Sequence, residues 1–185
     1  MDFNQLMAKL GRAGQVQAAA GLLAFIFSFF AWVTADIPAE VKALAEAEGV
    51  STSHNAWQEG AGFAAWFPCL LLLALGVVAV LGALDIMPKL PTALLGVLVG
   101  ALSSVIILLR WVTLEDHVNA GWALYVTLVL ALAVTGVSYM GLAAEGTSLS
   151  QIPQAFQQRG QAGPPAGQGG PEGQGGQWGP PPNQG

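Results

Sequence analysis

Charge is what this sequence has least of. Only 9% of its 185 residues are Asp, Glu, Lys or Arg, where a soluble domain carries about 25%. Eleven acids and six bases cannot solvate the surface of a globule this size, so a soluble enzyme is not expected. Positive charge is scarcest: a net charge of −5 provides no stripe for neutralising phosphates, and no nucleic-acid partner is expected. The single cysteine, Cys69, excludes a disulfide framework and any zinc site built on cysteines. No acid falls in the middle of an apolar run, as a proton-coupled exporter would need. The apolar runs hold no histidine pair for haem, and there is no phosphate-binding loop and no paired carboxylate for acid–base work. The expectation is a chain that is not an enzyme, with no catalytic, cofactor-binding or metal-binding residue to assign.

What the chain does have is long uncharged runs. There are 23 residues between Arg12 and Asp36, 25 between Glu59 and Asp85, 20 between Lys89 and Arg110, and 27 between His117 and Glu145. A helix crossing a bilayer takes about 20 mostly apolar residues. In lipid the backbone must satisfy its own polar groups, which makes such runs helices. The predicted fold is all-α and integral to the membrane: a four-helix transmembrane bundle in the segment 15–146, with spans near 18–34, 62–84, 91–113 and 121–143. The lipid bilayer is its first partner.

Loop charge sets the predicted orientation. The segment from Asp36 to Glu59 holds five acids and one lysine, and Glu115 and Asp116 lie in the link between spans three and four. Lys9, Arg12, Lys89 and Arg159 fall on the opposite side, so both termini are expected in the cytoplasm. Trp32, Trp57, Trp66, Trp111 and Trp122 all fall at predicted outer ends, where indoles form a belt at the headgroups. Residues 1–14 read as a short interfacial amphipathic helix, with Phe3, Leu6, Met7 and Leu10 on one face and Asp2 and Gln5 placed to cap it. Pro38 and Gly49 bracket a second short helix in the outer loop. Residues 147–185 form a Gly/Pro/Gln-rich tail; Gly, Pro and Gln supply 26 of the last 36 residues. That composition predicts disorder, with Trp178 as a candidate docking anchor or simply part of a solvated tail.

Few residues stand out as interaction candidates. Arg110 follows the apolar run Val105-Ile106-Ile107-Leu108-Leu109 near the outer end of span three. It reads first as a snorkelling anchor paired with Glu115, Asp116 or Glu59, and second as part of a ligand or ion site. His54 and His117 share the outer side without a spacing that fixes a metal. Gly96, Gly100 and Ser104 form a small-xxx-small stripe on span three, and Thr127, Ala131 and Thr135 repeat it on span four. Such stripes suit packing inside one bundle or contact between copies, so a homo-oligomer stays open.

Several local patterns resemble a known family. Ile86-Met87-Pro88-Lys89 leads into span three, span four opens Gly121-Trp122-Ala123-Leu124-Tyr125, and Ser28-Phe29-Phe30-Ala31-Trp32 precedes Asp36. With the Gly/Gln/Pro-rich tail, these are similar to actinobacterial four-span membrane proteins typified by the mycobacterial 34 kDa antigenic protein family, a domain of unknown function. The likeness covers residues 15–145. It implies a plasma-membrane protein associated with envelope growth or division and carries over no active-site residues. The expected function is non-enzymatic, through contacts with envelope or division proteins; the alternative is a small transporter or channel subunit acting as an oligomer.

Overall fold

A computed structural model of the chain describes residues 2–58, 61–88 and 90–144. The tail expected at 147–185, with Trp178, lies outside the described residues.

Among the described residues, five helices and three short strands follow one another as α1 (Phe3–Phe27), β1 (Val33–Ala35), α2 (Ala39–Ala47), β2 (Ser53–His54), α3 (Phe63–Ala83), α4 (Thr92–Val112), β3 (Val118–Ala120) and α5 (Trp122–Ala144). The helices α1, α3, α4 and α5 are each long and apolar enough to cross a membrane. At 1.5 Å per residue, 21-residue α3 and α4 are each about 31 Å long, one bilayer core. They pack as a ring, α1 on α3, α3 on α4, α4 on α5 and α5 back on α1, with little contact across the diagonals. The chain is an all-α integral membrane protein built on a four-helix bundle.

Side-chain size is distributed as lipid requires. The interior is lined by small residues, among them Ala20, Ala24, Ala65, Ala79, Ser103, Ser104, Thr127, Ala131 and Ser138, all buried. Large apolar side chains such as Leu22, Leu98, Leu102, Leu109, Val129 and Met140 point outward. Lipid tails are as apolar as leucine, so helices gain little by hiding leucine from them and associate through close backbone approach. A Cβ built on Gly21 would collide with the Leu72 carbonyl, and one on Gly76 would lie 2.9 Å from the Gln17 carbonyl oxygen, so α1 and α3 meet backbone to backbone. Across the ring, Gly96 lies against the Ser138 hydroxyl and the Gln17 amide. Gly100 lies against Thr135, whose Oγ1 would be 2.5 Å from an added Cβ. Three hydroxyls in the seams turn inward on their own helices: Ser104, Thr127 and Thr135 each donate to the carbonyl four residues earlier, at 2.8 Å. Gln17, fully buried, ties three helices by donating from Nε2 to the Thr92 carbonyl at 2.9 Å and to Ser138 Oγ at 3.0 Å.

The α1 helix is broken near its start. Gly11 takes φ 61° and ψ 177°, outside helical geometry and in the region where glycine alone is comfortable. Residues 3–10 therefore form a separate helical stretch, opened by Asp2 N–H donating to Gln5 Oε1 at 3.3 Å. One contact ties this stretch to the α3–α4 turn and another ties it to the rest of α1. Lys9 Nζ pairs with Asp85 at 2.6 Å, and Gln15 Nε2 spans the break to the Met7 carbonyl at 2.7 Å. Asp85 has φ 57° because it closes α3 in a left-handed cap: its N–H donates to the Gly82 carbonyl and the Ile86 N–H to that of Leu81.

The first span ends earlier than its composition suggests. The helix stops at Phe27 rather than near Thr34, and residues 33–35 are a strand. Ser28 Oγ donates to the Phe25 carbonyl at 2.6 Å and closes the last turn. The stretch from Arg12 to Phe27 spans only about 24 Å, short of a hydrocarbon core of about 30 Å.

Candidate functional site at the sheet end

Polar and aromatic side chains gather at the end of the bundle that holds the strands. The three strands form one sheet in the order β2-β1-β3. Val33 faces His54 on one side and Ala120 on the other, and Ala35 faces Val118, all antiparallel. Strands of two and three residues are too short to hold a sheet alone, and bonds beyond the ladder reinforce it. Trp32 N–H donates to the His54 carbonyl at 2.9 Å, Asp36 N–H to that of His117 at 2.9 Å, and Gly121 N–H to that of Trp32 at 2.8 Å. Ala56 N–H reaches the Ser28 carbonyl at 2.9 Å. The loops after α1 and after α4 are thereby joined into one cap.

Trp32 is the centre of that cap. Interfacial placement was expected for it; instead its side chain is completely buried, with Nε1 donating to the Phe27 carbonyl at 3.2 Å. Trp32 directly precedes β1, the central strand, whose two neighbours and the aromatic rings around them cover it, and both Trp32 and Val33 are buried. Among the described residues, the other four tryptophans stay in contact with further rings near the surface. Trp57 stacks on Phe29 and Trp66 at 6.0 and 6.1 Å, and its Nε1 donates to Ser28 Oγ at 2.8 Å. Trp122 meets Phe27 and Phe30, and Trp111 meets Tyr125 edge-on at 5.7 Å.

A cavity of about 460 Å³ opens beside β1. Its walls include Val33, Ala35, Leu114 and Val118, and its polar lining is Arg110, His54, Thr34 and Glu115. Two of the sequence-derived candidates, Arg110 and Glu115, thus share one cavity. Arg110 is half-buried in the last turn of α4, where a cation suits the helix dipole. Asp116 is exposed and does not line the cavity. Gly96 and Gly100 belong to the α4–α5 seam, away from it. His117 is exposed, whereas His54 reaches the cavity through β2, a strand too short to leave a pattern in the sequence. Among the described residues, no three His, Cys, Asp or Glu side chains converge as a metal would require.

The helix α2 stands apart from this cap. Pro38 precedes its first turn, and none of its residues is buried. Val41 and Leu44, on one face with Ala45, are 50% and 63% exposed. Glu40, Glu46 and Glu48 surround them, with Lys42 the single cation. A nine-residue helix is marginal alone in water and usually owes its stability to packing of its apolar face. Compared with known proteins, the chain matches no family model, no curated protein and no solved structure.

Proposed function

We propose that this is a non-enzymatic protein of the plasma membrane, with both termini cytoplasmic, that acts through protein–protein contacts in the cell envelope. The setting of envelope growth or division comes from the family resemblance alone. The observation that carries the reading is α2, a helix with an unpacked apolar face three residues from the most firmly bonded strand of the molecule. Such a face gains by meeting a partner. The acids at Asp36, Glu40, Glu46 and Glu48 select its chemistry: a protein surface with basic groups around an apolar centre. They also disfavour an anionic lipid surface. The charge difference between the ends supports the orientation, because Lys9 and Arg12 lie at the end opposite the sheet.

A photocrosslinking amino acid at Leu44, in the full chain expressed in its own cells, tests the reading. The expected result is a discrete protein adduct that disappears when Val41 is replaced by Asp. Adducts to lipid alone, or substrate-dependent flux through proteoliposomes holding only this protein, would overturn it.

A further inference from the structure

The cavity beside β1 has a composition that the protein-contact reading does not use. At about 460 Å³ it is larger than the cavity at the opposite end, about 290 Å³, and than the apolar groove between α1 and α3, about 310 Å³. A water occupies about 30 Å³ of liquid, so the space is far too large for a single ion and suits a small organic group. Among the described residues, its charged lining is one guanidinium and one carboxylate, Arg110 and Glu115, with His54 and Thr34 as further hydrogen-bonding groups. A ligand bearing only an anion would face Glu115, and one bearing only a cation would face Arg110. A ligand carrying both satisfies both. Guanidinium has five N–H donors in a planar fork, enough to hold a phosphate or carboxylate while keeping contacts within the protein. The Glu115 carboxylate accepts hydrogen bonds from an ammonium.

Position narrows the class further. Arg110 closes the apolar run of α4, and the neighbouring Leu109 and Val112 are exposed on the outer surface of the same turn, as lipid-facing residues are. The cavity therefore sits where a membrane's hydrocarbon gives way to headgroups. Val33, Leu114 and Val118 supply apolar walls beside the polar groups. We propose that the cavity beside β1 binds a zwitterion, an ammonium joined to a phosphate or carboxylate, with the anion on Arg110 and the ammonium on Glu115. A phospholipid headgroup and a free zwitterionic solute share this chemistry. The proposal is independent of what α2 contacts.

The test uses the full-length protein in a sugar-based detergent. Native mass spectrometry reads retention of phosphatidylethanolamine against phosphatidylglycerol, which has the phosphate without the ammonium. Thermal unfolding reads stabilisation by soluble phosphoethanolamine. Wild-type protein is expected to retain phosphatidylethanolamine at least tenfold better. Glu115→Gln should abolish that preference without changing unfolding in the absence of ligand, because Glu115 is exposed. Arg110→Lys should weaken retention of both lipids. Should Arg110→Lys fail to fold, Thr34→Val on the same wall is expected to lower phosphatidylethanolamine retention by a smaller factor. Stabilisation by phosphoethanolamine equal to that by the lipid identifies a free solute as the source, and stabilisation by the lipid alone identifies a headgroup. Equal retention of the two lipids by wild-type protein, an unchanged preference in Glu115→Gln, or no binding of any probe would overturn the proposal.

Discussion

β1 and α2 are separated by three residues, yet they are opposites. β1 is held on all sides: both edges are paired, Trp32 just before it is fully buried, and Asp36 just after it is held by the His117 carbonyl. α2 has no buried residue. The difference shows how a small membrane protein can hold an element still at one end while leaving the next free to meet something else. The two loops at this end are fixed by backbone hydrogen bonds, which tolerate changes of side chain, so the displayed helix can vary without disturbing its support.

Breaking the fixed side should have the largest effects. Trp32→Ala removes the largest fully buried side chain among the described residues and should cost about 3–5 kcal/mol of stability, read as thermal unfolding in detergent. Gly121→Val attacks the same cap from the other loop. An added Cβ would strike the Ala31 carbonyl and the Trp32 backbone, which cannot move without breaking the bonds to Gly121 and Ala123. A loss of about 3 kcal/mol is expected by the same readout, with β3 detached from β1.

Overpacking a seam comes next. Gly100→Ile fills the gap between α4 and α5 and should weaken the bundle by about 1–3 kcal/mol, with any change in oligomeric state secondary. Thermal unfolding beside crosslinking in membranes distinguishes the cases: unchanged unfolding with loss of a crosslinked dimer would place Gly100 at a contact between copies. On the free side, exchanging Val41 and Leu44 for Asp should shift stability by less than about 0.5 kcal/mol, because neither is packed. A larger loss would mean that α2 is part of the fold.

How far the molecule can be read from its sequence divides along the same line. The spans follow from where charges are missing, and the last three helices, Phe63–Ala83, Thr92–Val112 and Trp122–Ala144, begin and end close to the predicted limits. Pro38 and Gly49 announce α2 because caps are local chemistry. The sheet left no such trace: two or three residues are too few to show alternation, and its partners are up to 87 positions apart, as with Val33 and Ala120. Trp32 misled because an indole near a span end suits a headgroup as well as a buried corner, and the pairing of β1 decides between them. The α4–α5 seam was visible as Gly96 and Gly100 one turn apart. Gly21 and Gly76 were not, since each has larger residues one turn away on both sides: Gln17 and Phe25, and Leu72 and Val80. His54 joins Arg110 and Glu115 only through the strand pairing that the sequence hides.

Hydrogen exchange on the full-length protein in detergent, without added partner, compares the two regions most directly. The account predicts slow exchange at the backbone amides of Trp32, Ala35, Asp36 and Gly121, and exchange near the unprotected rate throughout Ala39–Ala47. Equal protection in α2 and β1 would contradict it, by showing that α2 is already packed and has no free face to offer.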